Sequence, residues 1–288
     1  MIKKAVIPAA GLGTRMLPEA KAVAKEVMPI VDKPSIHYLV QEAVDAGIDE
    51  IFIITNHNKA AIETYFNRAP EYEEKLIKSG KLELLREIQA ISEMAKITYI
   101  IQDVPKGLGH AVYLAKDYIK DEPFMVLYGD DVILSDVSVS KKMCDIFYEF
   151  GKSVLGVNSV SLDEIGRYCS LNASPIRERI YSCCDMVEKP KPHEVMSNLA
   201  ILGRVLLTPE IFDILENQTP GAGGEIQLTD AMATLARRSG CIAYDFEGLR
   251  LDMGSKLGFL QANVLMGLKH PELSDAFKTW LTDLQKTL

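Results

Sequence analysis

Cysteine is scarce in this chain and badly placed for cross-linking. There are five, Cys144, Cys169, Cys183, Cys184 and Cys241, an odd number with no C-x-x-C pair, which argues against a disulfide framework or a zinc site. The adjacent Cys183 and Cys184 invite a redox role but are read as small hydrophobes in a buried strand. Excess positive charge is also missing. With 32 Lys and Arg against 40 Asp and Glu the net charge is -8, which excludes the broad basic footprint of a nucleic-acid binder, so any phosphate site must be local. Long apolar runs are absent too: IFII and FMVL are far too short to span a bilayer, and MIKK enters a strand with no signal-peptide core, so no membrane partner and a cytoplasmic location are expected. Only five histidines occur, none of them in the charge-bearing motifs below, which directs attention to charge and positioning.

What is present is an alternation of strand and helix patterns. KKAVIPA is a short β-rich run ended by Pro8 and a glycine turn; DKPSIHYLVQEAVDAG carries Ile36, Leu39, Val40 and Val44 at helical spacing; IFIIT is again a strand. Strand, loop, helix, strand is the order of a βαβ unit, and KITYII, GHAVYLAKDYI and PFMVLY continue it. From about residue 153 to 203 short β-rich runs take over and predict a partly antiparallel lobe that continues the sheet. Helical patterns return toward the C-terminus. There PELSDAFKTWLTDLQKTL sets Leu273, Phe277, Trp280, Leu281 and Leu284 on one face, read as core packing, with a dimer interface as the alternative. The whole predicts an α/β protein with a mixed but mostly parallel sheet flanked by helices.

Three stretches carry the chemistry. VIPAAGLGTRMLPEAKAVAKEVMPI joins a strand to a glycine turn and then supplies Arg15, Lys21 and Lys25, an arrangement suited to phosphate. Met16 stands where a dinucleotide fingerprint needs its third glycine, and the G-K-[ST] ending of a phosphate loop is missing, so neither class is met. MVLYGDD ends a strand on Asp130 and Asp131, which cannot both point the same way: one can reach a hard cation while the other orients the turn or a ligand hydroxyl. Asp252, in GLRLDMGS, is a distant second carboxylate. In MVEKPKP, Glu188 and Lys189 suit a sugar phosphate, one accepting from hydroxyls and the other neutralising charge.

In this order AVIPAAGLGTR, KEVMPIVDKP, GLGHAV, GDD, VEKPKP, SNLAILGR, LTPEIFDIL, PGAGGEIQLTDA and KLGFLQAN resemble the sugar-1-phosphate nucleotidyltransferases, over nearly the whole chain. PGAGGEIQLTDA with VEKPKP is more similar to the uridylyltransferases of that family than to its thymidylyl and adenylyl branches. The resemblance implies a single Rossmann-like nucleotidyltransferase domain over 1–288, with a nucleotide-binding half (1–135), a sugar-phosphate half containing a small β-rich sugar-binding lobe (136–255) and C-terminal helices (256–288). It further implies transfer from UTP to glucose 1-phosphate with Mg2+, and a homodimer or homotetramer. By matching motif, Ala9, Ala10, Gly11, Gly13 and Asp131 contact the nucleotide, with Glu26, Gln102 and Gly107 around uracil. Arg15, Lys25 and Lys189 are the catalytic cations, Asp130 and Asp252 hold the metal, and Cys169, Glu188, Lys189 and Asn198 meet the sugar. The Gln102 amide offers both a donor and an acceptor to the base.

The chain departs from the family pattern in places. Glu19, Ala20 and Ala24 replace Ala, Thr and Pro, from which a looser loop behind Lys25 and slower turnover are expected. Cys169 replaces a glycine and is expected to crowd the sugar, and Ser255 replaces an aspartate near Asp252. A different hexose 1-phosphate, dTTP, or a sensor that binds nucleotide sugar without turnover are the alternatives these changes leave open; a nicotinamide oxidoreductase is disfavoured by Met16.

Overall fold

Strand β1 (Lys4–Pro8) has no solvent face: Ala5 and Ile7 enter one apolar cluster, Val6 enters another, and all three are fully buried. A strand apolar on both sides belongs in the middle of a sheet covered on both faces. The computed structural model, which describes residues 1–287, contains such a sheet.

From β1 the chain runs through the glycine loop and the small hairpin β2 (Pro29–Ile30) and β3 (Lys33–Pro34) into α1 (Ser35–Asp45) and β4 (Glu50–Thr55). Helices α2 (Ala60–Phe66), α3 (Pro70–Lys78) and α4 (Leu82–Glu93) precede β5 (Lys96–Ile101), and α5 (Leu108–Tyr113) and α6 (Lys116–Ile119) precede β6 (Phe124–Leu127). There follow β7 (Asp131–Leu134), α7 (Val139–Phe150), β8 (Val154–Ser159), β9 (Cys169–Arg177), β10 (Ile180–Glu188) and β11 (Leu199–Leu207). The chain ends with α8 (Glu210–Glu216), α9 (Leu228–Ser239), β12 (Cys241–Asp245), β13 (Leu249–Asp252), α10 (Lys256–Gly267) and α11 (Ser274–Gln285).

Nine strands form one sheet in the order β5-β4-β1-β6-β11-β8-β12-β10-β9, and β13 pairs with β7 in a separate two-stranded ribbon. The sheet is mixed, as expected. Parallel pairing is confined to β5-β4-β1-β6 and β8-β12, however, and the other neighbours are antiparallel, so it is more evenly mixed than the strand-helix alternation suggests. The reason is the stretch after residue 153, where β9 and β10 are joined by a tight turn and need no crossover helix. No helix among the described residues is long and apolar enough to cross a membrane.

The sheet holds one large charge in its interior. Arg204, in the middle of the wholly buried β11, has 0% exposure, and Glu42 of α1 grips it through Nη2 at 2.7 Å and Nε at 3.1 Å. The Ser140 hydroxyl of α7 donates to the same carboxylate at 2.6 Å. This buried pair is satisfied on several sides and ties the helix layer to the sheet, which is the condition under which such a charge is tolerated.

Two expectations are corrected. Cys184 is exposed although Cys183 is buried, because neighbours on β10 face opposite sides. Burial pushes the Cys183 thiol up to about 12, so it is inert. No residue of α11 is buried, and Trp280 is 55% exposed and stacks on Phe277. The helix docks through Phe277 over Gly267, with Leu281 half-buried, and leaves Leu273, Trp280 and Leu284 exposed, so core packing is not its role.

His37 of α1 is buried, and the Tyr65 hydroxyl stands 3.0 Å from its Nδ1. Burial, with Lys33 nearby, lowers its pKa from 6.5 to about 4, so the folded protein holds it neutral. A lowered pKa gives stability that is complete above the unfolded value and is lost as pH falls. Urea unfolding should therefore show a loss of about 3 kcal/mol between pH 6.5 and 4 that is absent in His37→Gln; parallel profiles for the two proteins would contradict it.

Candidate active site

The loop after β1 is held from below. Ala9 N–H continues the sheet by donating to the Ile54 carbonyl at 2.7 Å, and Asn56 donates to the Ala10 carbonyl at 2.8 Å. Lys59, at the start of α2, donates to the Ala9 carbonyl at 2.6 Å and to Glu26 Oε2 at 2.7 Å. Both partners are deeply buried, Glu26 at 1% and Lys59 at 7% exposure. Burial raises the Glu26 pKa and lowers that of Lys59, each working against the attraction between them, and Glu26 Oε1 has no hydrogen-bond partner. Above this clamp Gly11 faces open space.

Over the same edge four charges converge. Lys25 Nζ lies 2.5 Å from Asp130 Oδ2, and Arg15 bridges Asp130 at 3.6 Å and Asp252 at 3.3 Å. Burial would raise the Asp130 pKa, but Lys25 and then Arg15 outweigh it and the net direction is down. Lys25 is disfavoured by burial and favoured more strongly by Asp130 and Glu26, so its pKa is raised. A β-carbon added at Gly254 would lie 2.6 Å from Asp130 Oδ2, 2.7 Å from Arg15 Nη2 and 3.1 Å from Asp252 Oδ1. Glycine leaves a cradle there between two carboxylates and a guanidinium. The β7–β13 ribbon brings them together, pairing Asp252 with Asp131, while Met253 N–H donates to the Asp130 carbonyl at 2.8 Å.

Asp131 turns the other way. Its side chain is buried and receives Arg250 through Nε at 2.8 Å and Nη2 at 2.7 Å. Arg250 lies over the Tyr168 ring at 5.4 Å and donates to its hydroxyl at 3.3 Å, and the Tyr168 carbonyl accepts from Lys189 N–H at 2.8 Å. Lys189 follows β10 with φ 46°, in the left-handed region, and its Nζ is 3.7 Å from Glu188. Beside Glu188 opens a cavity of about 770 Å³ between β10, α8 and α9, with Gln218, Thr219, Gly221, Asp230 and Arg237 in its wall.

A third group stands at the end of β5. Gln102 is 5% exposed, and its Nε2 lies 2.9 Å from His110 Nδ1 and 3.4 Å from the Gly107 carbonyl. Gly107 has φ +103°, and a β-carbon there would meet the Ile226 carbonyl at 2.7 Å. The base of this loop is locked to residue 226 by Gly109 N–H donating to the Ile226 carbonyl at 2.8 Å and Ile226 N–H to the Lys106 carbonyl at 2.7 Å.

A model of the family described as nucleotidyl transferase matches residues 4–267. The chain belongs to this family. It is 48% identical over 283 residues to the UTP–glucose-1-phosphate uridylyltransferase of Staphylococcus epidermidis, covering 98% of both chains, and 47% identical to that of Bacillus subtilis, covering 98% and 97%. Among solved structures it is similar to a UTP-bound UGPase from Acinetobacter baumannii, at a TM-score of 0.91 and 39% identity over 99% and 100% of the two chains. A UDP-glucose pyrophosphorylase complexed with UDP-glucose superimposes at 0.85, with 40% identity over 94% and 100%.

In this nucleotidyl transferase Arg15, Lys25, Asp130 and Asp252 form one cluster, and Cys169 and Glu188, cross-strand partners on β9 and β10, form another with Lys189. Glu26 lies beneath the loop and not at its open surface, and Asp131 takes the turn-orienting part open to one of the two aspartates. The Cys169 thiol is buried among apolar side chains, with its pKa raised well above 9.0 by burial, so the crowding expected of it is not seen. Asn198 is exposed, and its carbonyl accepts from Val160 N–H at 3.0 Å. Ala24 keeps φ -58°, close to the angle a proline imposes, and Lys25 reaches Asp130, so the loop is not visibly loosened.

Sequence reading missed Lys59, Arg250 and His110. Arg250 stands two residues before Asp252 on one strand, a spacing that puts both on the same face and was available as a signal. His110 sits within GLGHAV itself, so the histidines are not all remote from the motifs. Lys59 carried no signal. Replacing it by Met leaves the buried Glu26 carboxylate without its hydrogen-bonded cation, and K59M should cost about 3–5 kcal/mol in urea unfolding. The double variant K59M/E26Q should recover most of that loss; equal losses in the two would refute the clamp.

Proposed function

We propose that the chain transfers the uridylyl group of UTP to glucose 1-phosphate, giving UDP-glucose and pyrophosphate. The observation that carries this reading is the convergence of Arg15, Lys25, Asp130 and Asp252 around Gly254, beside an open glycine loop. Similarity over nearly the full length to uridylyltransferases of that name supports it.

A phosphate oxygen of glucose 1-phosphate is already anionic near neutral pH, so it needs no base to remove a proton before attacking the α-phosphorus. The new P–O bond forms as the bond from the α-phosphorus to the bridging oxygen breaks in line, and pyrophosphate departs with that electron pair. What the reaction demands is the alignment of two mutually repelling anions and neutralisation of charge on the leaving group. In our reading Ala9, Ala10, Gly11 and Gly13 border the nucleotide. Arg15 and Lys25 hold the phosphates, and Glu188, Lys189 and Asn198 meet the sugar phosphate. Cys169 and Asp131 support that side through the backbone and Arg250, and Glu26 supports the loop from below.

The donor set fits a magnesium ion. Among the described residues no cluster of three or more His, Cys, Asp or Glu could hold a metal by protein ligands alone. Two facing carboxylates with a glycine cradle between them are what Mg2+ uses when substrate phosphates supply other ligands. Asp130 and Asp252 would hold it, and it would supply charge neutralisation at the phosphates. We place the enzyme in the cytoplasm and read it as a homodimer or homotetramer.

Pyrophosphate release from a matrix of nucleotides against sugar phosphates, with Mg2+, tests this. Highest kcat/KM is expected for UTP with glucose 1-phosphate, and Lys25→Ala should lower kcat about 10²-fold or more, as removal of a charge-stabilising donor does elsewhere. No pyrophosphate from UTP and glucose 1-phosphate, or full activity in Lys25→Ala, would overturn it.

A further inference from the structure

We infer that His110 sets the nucleobase selectivity of this chain by fixing which end of the Gln102 amide faces the base; this rests on the reading that Gln102 meets uracil. An amide nitrogen has no lone pair to offer, so in the 2.9 Å contact Gln102 Nε2 donates and His110 Nδ1 accepts. The second hydrogen of the same nitrogen goes to the Gly107 carbonyl at 3.4 Å. Reversing the amide would set two carbonyl oxygens against each other at that distance, and the loop that carries Gly107 is tied to Ile226 by backbone hydrogen bonds from Gly109 and to Lys106, on either side of it. Both hydrogens of the Gln102 amide are thereby directed to the protein.

What remains is Oε1. It makes no hydrogen bond among the described residues and is not one of their buried unpartnered atoms, so it is the atom Gln102 has to offer a ligand. An acceptor suits the N3–H of uracil or thymine and opposes N3 of cytosine, which is itself an acceptor. A free glutamine could rotate and present its NH2 to cytosine instead, so the amide alone does not discriminate. His110 removes that option, provided Nδ1 carries no proton. Burial, assisted by Lys106, lowers its pKa, in keeping with an unprotonated Nδ1. This replaces the expectation that the amide offers the base both a donor and an acceptor, and it makes His110 a positioning residue with no contact to the reacting atoms.

Calorimetric binding of UTP, CTP and dTTP to the unmodified chain, His110→Ala and His110→Asn tests it, with thermal melts to confirm folding. The unmodified chain should bind UTP more tightly than CTP. His110→Ala should shrink that preference about tenfold, the worth of one hydrogen bond to the amide. The Asn side-chain oxygen can replace Nδ1 as acceptor, so His110→Asn should keep the preference to within about threefold. The ratio of UTP to dTTP, which share the N3–H, should not move in either variant, whereas general loosening of the site would shift all three nucleotides. An unchanged UTP-to-CTP ratio in His110→Ala, equal loss in both variants, or no preference in the unmodified chain would overturn the proposal. Selective UTP binding without pyrophosphate release would defeat the transferase reading and leave this one standing.

Discussion

Four charges at one sheet edge, two carboxylates and two cations, have to be held within bonding distance although each is partly removed from water. Each sign leans on the other: Asp130 without Lys25 would be a half-buried anion left with the longer Arg15 contact, and Lys25 without Asp130 a half-buried cation without its bonded partner. Their mutual neutralisation lets the chain keep this cluster organised in the absence of a ligand. Arg15 extends the arrangement to Asp252, more than a hundred residues further along the chain. A ligand bringing phosphates and a divalent cation together offers each protein charge a new partner of the right sign, so the site can exchange partners without exposing an unpaired charge.

Much of the surrounding fold serves this edge. The Lys59–Glu26 clamp supports the loop from below, and Asp131 and Arg250 carry the turn across to Tyr168 and the Glu188–Lys189 strand end. Chemically alike residues are thereby divided by role. Asp130 is presented at the open edge and Asp131 is turned inward; Lys25 meets the Asp130 carboxylate and Lys59 the Ala9 carbonyl and Glu26. Preorganisation of this kind matters most for reactions that gain from placed charge and not from proton transfer.

The sequence announced the strands and glycine turns clearly, because a strand buried on both faces leaves an apolar run such as AVI or FMVL bounded by Gly or Pro. It also exposed the site through polar residues stationed at strand ends: Asp130, Glu188 and Asp252 each close a strand or its turn. What it concealed were charges whose partners lie far away. Arg204 sits in an apolar run and looks like an interruption until Glu42 is seen against it, and Lys59 resembles any surface lysine until Glu26 is found beneath the loop. Periodicity reports which face a residue takes, not which distant group meets it. The balance of parallel and antiparallel pairs escaped for the same reason, and the tail helix misled because an amphipathic stripe does not say how much of itself will be covered.

The central claim is that Asp130 and Asp252 are already paired with the chain's own cations and accept a metal only when a triphosphate takes those cations over. Titrating Mg2+ calorimetrically into the protein, first alone and then saturated with UTP, tests this most directly. The account predicts negligible binding of Mg2+ alone and strong binding with UTP present, lost in Asp252→Asn. Equal affinity for Mg2+ with and without UTP would contradict it.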